Sequence, residues 1–265
     1  MYSPFQLAKK YFKYYLFALN GKGHGVHSPF VFDFIIHVLN DRKKYDCYPK
    51  IESLRKQLLQ NDAIIEVEDF GAGSAVIHSR NRKIKDIAKT SLKKKKYARL
   101  LFRIAKYYQS RNIVELGTSF GTSTCYLASS NSDSKVMTFE GSHNIAEIAL
   151  NNFKLAGLNN VQLVEGSFDK TISATIDKIE SVDLLFIDGN HRKKATLAYF
   201  DIFLKKSTAE SIFIFDDIHW SKEMEEAWKL IQQHHSVTLT IDLFFIGLVF
   251  FNKDFKVKQH FTIRF

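Results

Sequence analysis

Asn112-Ile-Val-Glu115-Leu-Gly117-Thr-Ser-Phe-Gly121-Thr-Ser-Thr-Cys-Tyr-Leu-Ala128 is the stretch that decides the predicted fold. Its apolar start predicts a short buried strand, and the residues after Gly121 predict a helix. The two glycines permit a tight turn and a close approach of the backbone to a ligand. Unpaired N–H groups at the helix start would face that ligand. This strand, glycine loop and helix together indicate a nucleotide-type binding site.

Outward from this stretch, residues 111–251 alternate between strand-like and helix-like patterns. Continuous runs of Val, Ile, Leu and Phe between helices predict a parallel sheet that is covered on both faces. The predicted strands and helices are Asn112–Leu116, Thr122–Ser129, Lys135–Glu140, His143–Ala156, Val161–Glu165, Thr171–Ile179, Val182–Asp188, Ala195–Leu204, Ser211–Phe215 and Met224–Gln233.

The C-terminal segment breaks this alternation. Val237–Ile241 and Phe244–Phe251 are strand-like, and the link between them is too short for a crossover helix, so they must pair antiparallel. Val257–Ile263 is a candidate last strand. The predicted fold class is therefore α/β: a Rossmann-like doubly wound sheet, mostly parallel with an antiparallel C-terminal hairpin, preceded by a helical N-terminal extension.

Charged residues are unevenly distributed along the chain. Residues 1–110 carry 22 Lys and Arg against 9 Asp and Glu, whereas residues 111–265 carry 16 against 19. This asymmetry suggests two parts with different roles, which we predict to be a mostly helical basic extension over residues 1–96 and the α/β domain over residues 97–265. A basic half attracts anionic partners such as nucleic acid or a membrane surface, and a solvated basic face is the plain alternative.

Composition excludes several protein classes. Hydrophobic residues make up 45% of the 265 residues, so a large core can form and wholesale disorder is excluded. Two cysteines, Cys47 and Cys125, cannot form a disulfide framework or a four-thiolate zinc site. The longest charge-free apolar run, Leu243–Phe251, is too short to cross a bilayer as a helix. We expect a soluble, cytoplasmic protein.

Two acidic residues narrow the choice of cofactor. Glu140 ends the second strand, 23 residues after Gly117, where an acid can accept hydrogen bonds from both hydroxyls of a ribose. That position fits NAD and S-adenosylmethionine equally. Glu115 precedes the glycine turn, where its charge would oppose a pyrophosphate but suit a cationic methionine end. Glu115 and the C-terminal hairpin therefore favour S-adenosylmethionine.

Residues 97–251 resemble class I S-adenosylmethionine-dependent methyltransferases, nearest to the small-molecule O-methyltransferases. Gly166-Ser167-Phe168 is similar to the segment that lines the adenine in that family. The resemblance implies a cofactor-binding set, which is Glu115, Gly117, Thr118, Ser119, Gly121, Glu140, Gly141, Ser167, Phe168 and Asp188.

The same resemblance implies catalytic and metal-binding residues. Catechol-type members hold Mg²⁺ with an Asp after the fourth strand and an Asp-Asn pair after the fifth. Here Asp188 follows the fourth strand and the pair is Asp216-Asp217, so these three residues form a candidate metal site. Those members have a lysine general base at the position of His191, so the implied catalytic residues are His191 and Asp188. A helix-capping or surface role for His191, and a turn at Asp216-Asp217, remain open.

The predicted function is in-line transfer of a methyl group to a small-molecule acceptor, on oxygen, with a histidine near neutrality taking the acceptor's proton. Two alternatives stay open. The first is methylation of RNA or another polyanion through the basic half, which is not favoured because few aromatics interleave with its charges. The second is a non-catalytic module that binds a nucleoside. A homo-oligomer is compatible with each function.

Three N-terminal features receive separate interpretations. Asp69-Phe-Gly71-Ala-Gly73-Ser looks like a methyltransferase glycine motif, but the polar basic residues after it predict a loop. His24 and His27 make a weak metal motif without further ligands. The aromatic residues of the predicted helix Tyr2–Leu19 suit a core stripe, a dimer surface or a peripheral membrane helix.

Overall fold

The computed structural model describes residues 1–68 and 80–265, so the glycine motif of residues 69–74 lies outside the described residues. Packing divides the chain into two units: residues 1–41 with 180–265 form the first, and residues 42–179 form the second. The boundary predicted between residues 96 and 97 rests on sequence pattern and remains a prediction.

The helices and strands alternate in the second half of the chain as the sequence predicts. In chain order the described elements are α1 (Pro4–Phe17), α2 (Pro29–Phe34), α3 (Cys47–Gln60), β1 (Ile64–Glu66), β2 (Asn81–Lys83), α4 (Ile84–Ser91), α5 (Lys95–Tyr107), β3 (Asn112–Leu116), α6 (Thr122–Ala128), β4 (Lys135–Glu140), α7 (His143–Ala156), β5 (Val161–Glu165), α8 (Phe168–Thr175), β6 (Val182–Ile187), α9 (Lys193–Leu204), β7 (Ser207–Asp216), α10 (Lys222–Gln233), β8 (Leu239–Asp242), β9 (Ile246–Phe250) and β10 (Gln259–Thr262).

In the second unit, β3, β4 and β5 pair in that order, and both pairings are parallel. All the residues of β3 after Asn112 are buried. Parallel strands end at the same edge of a sheet, so the residues after β3, β4 and β5 lie close together. The predicted cofactor residues follow these three strands.

In the first unit, five strands pair in the order β10-β8-β9-β7-β6. β6 and β7 are parallel, whereas β9 is antiparallel to both β7 and β8, which confirms the C-terminal hairpin. β10 is parallel to β8 and supplies the expected last strand. Together the two units contain eight mostly parallel strands that alternate with helices, and the Rossmann-like α/β class is confirmed.

The N-terminal extension is mostly helical, as predicted, but contains two additional features. A π-helical turn, Ile35–Leu39, continues from α2 without a break. The short strands β1 and β2 form an antiparallel hairpin in the second unit. Among the described residues, no helix is long and apolar enough to cross a membrane.

Candidate functional site

The glycine loop after β3 contains three residues in the left-handed region. Gly117, Ser119 and Gly121 have φ angles of 106°, 48° and 78°. A Cβ on Gly121 would overlap Cε1 of Phe153 and lie 2.9 Å from its Cζ, so the position requires glycine for both backbone and packing reasons. The N–H groups of Gly117 and Thr118 donate to the carbonyl of Phe139 at 3.1 and 3.0 Å, which binds the loop to β4.

Glu140 joins this loop to the start of α7. Its Oε2 accepts a hydrogen bond from the Ser119 N–H at 2.8 Å, and its Oε1 accepts one from the Ser142 N–H at 3.0 Å. The side chain is partly exposed at the end of β4, next to Gly141. Carboxylate oxygens are hydrogen-bond acceptors of the kind that ligand hydroxyls require. The Glu140 carboxylate is thus a hydrogen-bond acceptor whose position the backbone fixes.

Glu115 lies beneath the loop and has no exposed surface. Its Oε2 accepts hydrogen bonds from the hydroxyls of Thr124, at 2.5 Å, and Thr138, at 2.7 Å. The Thr138 hydroxyl also lies 2.6 Å from that of Thr118. The sequence pattern did not reveal the two hydroxyl partners, although Thr124 and Thr138 are polar residues at otherwise apolar positions. Through these hydrogen bonds Glu115 links α6 and β4 to the end of β3.

The segment after β5 extends the same edge of the second unit. Gly166 has a φ of 128°, and its N–H donates to the carbonyl of Glu140 at 2.8 Å. Ser167 is the N-cap residue of α8, and Phe168 begins that helix. The cofactor residues predicted in this unit are thus gathered at the carboxyl ends of β3, β4 and β5.

The first unit contains the predicted catalytic residues. The carboxyl-terminal parts of β6 and β7 are buried. Their parallel register pairs Ile187 with Phe215, so Asp188 and Asp216 follow at matching positions. One ligand atom from each of Asp188, His191 and Asp216 lies within 4.8 Å of the other two. Nε2 of His191 is 3.8 Å from Oδ1 of Asp188. Two carboxylates and an imidazole are therefore brought together.

Asp217 is not part of this group. It has a φ of 54°, its N–H donates to the carbonyl of Phe245 at 2.7 Å, and its own carbonyl accepts from the Trp220 N–H at 2.9 Å. The residue thus forms a turn after β7. The candidate cluster that the structure offers is Asp188, His191 and Asp216, in which His191 takes the place predicted for Asp217.

His219 follows that turn and forms a separate charged network in the first unit. Its Nε2 lies 2.8 Å from Oδ2 of Asp242, and its Nδ1 lies 3.1 Å from Oε1 of Glu225. Burial lowers the pKa of His219, but the hydrogen bonds and charges of Asp242 and Glu225 outweigh it, and the net pKa is raised. The ring stacks on Phe244 at 5.1 Å between centroids. The two acidic partners of His219 are 6 and 23 residues away in the chain, so no local sequence pattern identifies them.

Glu225 extends the network to the N-terminal helix. Its carboxylate accepts hydrogen bonds from Nζ of Lys10, at 2.9 Å, and from the Tyr2 hydroxyl, at 2.7 Å. Burial raises the pKa of Glu225, but the hydrogen bonds from Lys10, Tyr2 and His219 more than offset this, and the pKa is lowered. This network anchors α1 and α10 to each other.

Comparisons with known proteins agree with the fold and the glycine loop. A family model described as a methyltransferase domain matches residues 114–218. No curated protein matches the chain. These matches give no support to a divalent cation, so the metal remains a prediction.

Three solved structures are similar to the chain over most of its length. An O-methyltransferase from Bacillus cereus, in complex with S-adenosylhomocysteine, is 22% identical with a TM-score of 0.56, over 79% of this chain and 92% of that one. An O-methyltransferase from Streptomyces achromogenes involved in tomaymycin synthesis, in complex with S-adenosylmethionine, is 18% identical with a TM-score of 0.54, over 79% and 91%. A methyltransferase from Podospora anserina, bound to S-adenosylhomocysteine, is 14% identical with a TM-score of 0.59, over 85% and 97%.

At these identities the solved structures show the fold alone. Residues 114–218 match a methyltransferase domain, and the chain shares the fold of these O-methyltransferase structures, in agreement with the resemblance seen in the sequence.

Proposed function

We propose that the chain binds S-adenosylmethionine at the carboxyl ends of β3, β4 and β5 and methylates an oxygen of a small molecule. The structural neighbours described as O-methyltransferases support this proposal, since two of them are in complex with S-adenosylmethionine or S-adenosylhomocysteine. The sulfonium supplies the reactive methyl group, so the chain's residues mainly position the cofactor and activate the acceptor.

The residues of the second unit fit this cofactor. Glu140 is held by two backbone N–H groups at the end of β4, where an acid can accept hydrogen bonds from the two ribose hydroxyls of a nucleoside. Gly117 and Gly121 keep the loop free of side chains, so the backbone can approach the ligand. Glu115 adds a buried negative charge beneath the loop, which favours a cationic ligand over a pyrophosphate.

The observation that carries the catalytic part is the Asp188, His191 and Asp216 cluster, with its ligand atoms within 4.8 Å of one another. In the proposed reaction His191 accepts the proton of the acceptor hydroxyl as that oxygen takes the methyl group. Asp188, whose Oδ1 is 3.8 Å from Nε2 of His191, stabilises the resulting imidazolium. Asp216 orients an acceptor that carries a second hydroxyl by accepting a hydrogen bond from that hydroxyl.

The same three side chains could instead hold a divalent cation. Mg²⁺ prefers oxygen ligands, whereas an imidazole with two carboxylates suits metals such as Mn²⁺, Fe²⁺ or Zn²⁺ better. A metal-bound His191 could not accept a proton, so the two roles exclude each other. The effect of a chelator on activity distinguishes them.

The test is methyl transfer from S-adenosylmethionine to a panel of phenols, catechols and aliphatic alcohols. We expect His191→Asn to lower kcat by about 10²–10⁴-fold while the affinity for the cofactor is unchanged. His37→Asn, which alters an exposed histidine of the same unit, serves as the matched control. Full activity of His191→Asn, measured on an acceptor that the wild type methylates, would contradict the base role.

The effect of a chelator distinguishes the two roles of His191. If His191 is the base, EDTA leaves the activity unchanged. With a metal, EDTA abolishes activity, added Mn²⁺ or Mg²⁺ restores it, and Asp216→Asn is as defective as His191→Asn. Failure to bind S-adenosylmethionine in calorimetry would contradict the cofactor assignment itself.

A further inference from the structure

One face of α1 is fixed to the first unit. Tyr14 and Ala18 are buried against Phe244, with Leu7 packed at the edge of the same cluster. Lys10 is held by Glu225 at 2.9 Å. The helix also begins with a complete capping box, in which Ser3 and Gln6 exchange hydrogen bonds at 2.9 and 3.2 Å. The orientation of α1 is therefore determined by many contacts.

The opposite face of α1 exposes large apolar side chains. Phe5 is 80% exposed, Phe12 63% and Leu16 55%. Spacings of seven and four residues place these three on one side of the helix. Phe17, 79% exposed, lies at its C-terminal end. Within residues 1–68 and 80–265, this face of a fixed helix stays exposed as an apolar surface, which marks an interaction surface.

The charged residues of α1 are all positive. Lys9 and Lys13 are exposed, four residues after Phe5 and one residue after Phe12 respectively. The first 32 residues contain four lysines and no aspartate or glutamate. An apolar aromatic stripe with flanking lysines is complementary to a surface with anionic groups on its outside and an apolar layer beneath them.

We propose that α1 is a docking helix for a membrane surface containing anionic lipids. The helix would lie in the plane of the interface, with Phe5, Phe12 and Leu16 in the boundary between headgroups and acyl chains. Lys9 and Lys13 would contact the anionic headgroups.

Charge disfavours a second copy of the chain as the occupant. A two-fold interface places the same patch of each copy face to face, so Lys9 and Lys13 would meet the same lysines without an acidic partner from α1. An anionic lipid surface provides the missing negative charge, and it accommodates the aromatic side chains without requiring shape complementarity.

Co-sedimentation of the full chain with vesicles tests the proposal. We expect binding to vesicles of phosphatidylcholine with phosphatidylglycerol, little binding to phosphatidylcholine alone, and weaker binding as salt is added. The double variant Lys9→Glu with Lys13→Glu should weaken binding on the order of thirtyfold, because each lysine near an anionic surface contributes about fivefold. Phe5→Ser with Phe12→Ser should weaken it about tenfold or more.

Matched controls alter the same residue types elsewhere on the first unit. Lys253→Glu with Lys256→Glu reverses two exposed lysines outside α1, and Val257→Ser removes a side chain that is 73% exposed. Both should bind vesicles as the wild type does. Circular dichroism melts confirm that each variant is folded.

Three results would overturn the proposal: no binding to anionic vesicles, equal binding to neutral and anionic vesicles, or equal losses in the α1 variants and their controls. A fourth comes from light scattering without lipid. If the wild type is a dimer and Phe5→Ser with Phe12→Ser makes it monomeric, the face is an interface between copies of the chain.

Discussion

The backbone N–H of Ser119 donates a 2.8 Å hydrogen bond to Oε2 of Glu140. Ser119 is in the left-handed region, with a φ of 48°, and its hydroxyl lies 2.8 Å from that of Ser91. Hydrogen bonds thus link the turn after β3 both to the end of β4 and to α4. A ligand that meets such a loop finds it already ordered, so little of its binding free energy is lost in arranging the loop.

Replacement of this carboxylate should weaken cofactor binding. Glu140→Gln preserves the shape but loses the charge, and its NH₂ group cannot accept from an N–H or from a ribose hydroxyl. Hydrogen bonds to a charged group contribute about 1.5–3 kcal/mol, so we expect the affinity for S-adenosylhomocysteine to fall at least about tenfold. Isothermal titration calorimetry measures the change.

Glu147→Gln is the control for that measurement, since Glu147 is an exposed glutamate on α7 with a side chain 65% exposed. It should bind as the wild type does. Unchanged affinity in Glu140→Gln would show that the end of β4 does not contact the ligand.

The glycine at position 121 should be indispensable for packing as well as for its backbone angle. Gly121→Ala would place a Cβ in contact with Phe153, whereas Gly25→Ala, at the same φ of 78°, meets nothing within 4 Å. Both substitutions carry the left-handed backbone cost of about 1 kcal/mol. Gly121→Ala should add about 1–3 kcal/mol of overpacking. Urea unfolding of the two variants separates these contributions, and equal destabilisation would contradict the packing argument.

The sequence predicted the elements around the glycine loop closely. The observed bounds of β4, α7 and β5 are the predicted ones, because apolar periodicity is strong there and turn residues separate the elements. The hairpin of β1 and β2 was missed because its two three-residue strands are polar or half exposed and carry no pattern.

The candidate site was predictable only in part. Strand ends locate Glu140 in the second unit, and Asp188 and Asp216 in the first unit, because neighbouring parallel strands finish at the same edge of a sheet. Contacts that depend on long-range register were beyond a single sequence. Asp242, the partner of His219, lies 23 residues further along the chain, and the hydroxyl of Thr138 that binds Glu115 is also 23 residues away.

The charge of Glu115 should discriminate between cofactor and product. S-adenosylmethionine carries a positive sulfonium, whereas S-adenosylhomocysteine has a neutral sulfur. Removing the buried charge in Glu115→Gln should therefore reduce the affinity for S-adenosylmethionine more than for S-adenosylhomocysteine, by about fivefold or 1 kcal/mol. Thr138→Val breaks a hydrogen bond to the same carboxylate but keeps its charge, so it should leave the ratio of the two affinities unchanged. If the two variants change this ratio equally, the electrostatic explanation fails.

The histidine network should make stability depend on pH. The pKa of His219 is raised in the folded chain, chiefly because Asp242 and Glu225 outweigh the opposing effect of burial. A group with a raised folded pKa stabilises the fold fully below its unfolded pKa, about 6.5, and loses that contribution as pH rises through the folded value. The pKa of Glu225 is lowered in the folded chain. The ionised carboxylate therefore stabilises the fold at pH values above its ordinary pKa, and this stabilisation is lost only as the pH falls through the folded pKa. The network is therefore strongest in mildly acidic solution.

His219→Gln should remove this dependence. We expect the difference in unfolding free energy between wild type and variant to be largest near pH 6 and to shrink steadily toward pH 9, as urea titrations at several pH values would measure. His24→Gln, an exposed histidine of the same unit, should show no such trend. A difference between wild type and His219→Gln that stays constant from pH 6 to pH 9 would mean that His219 contributes through packing against Phe244 and not through its charge.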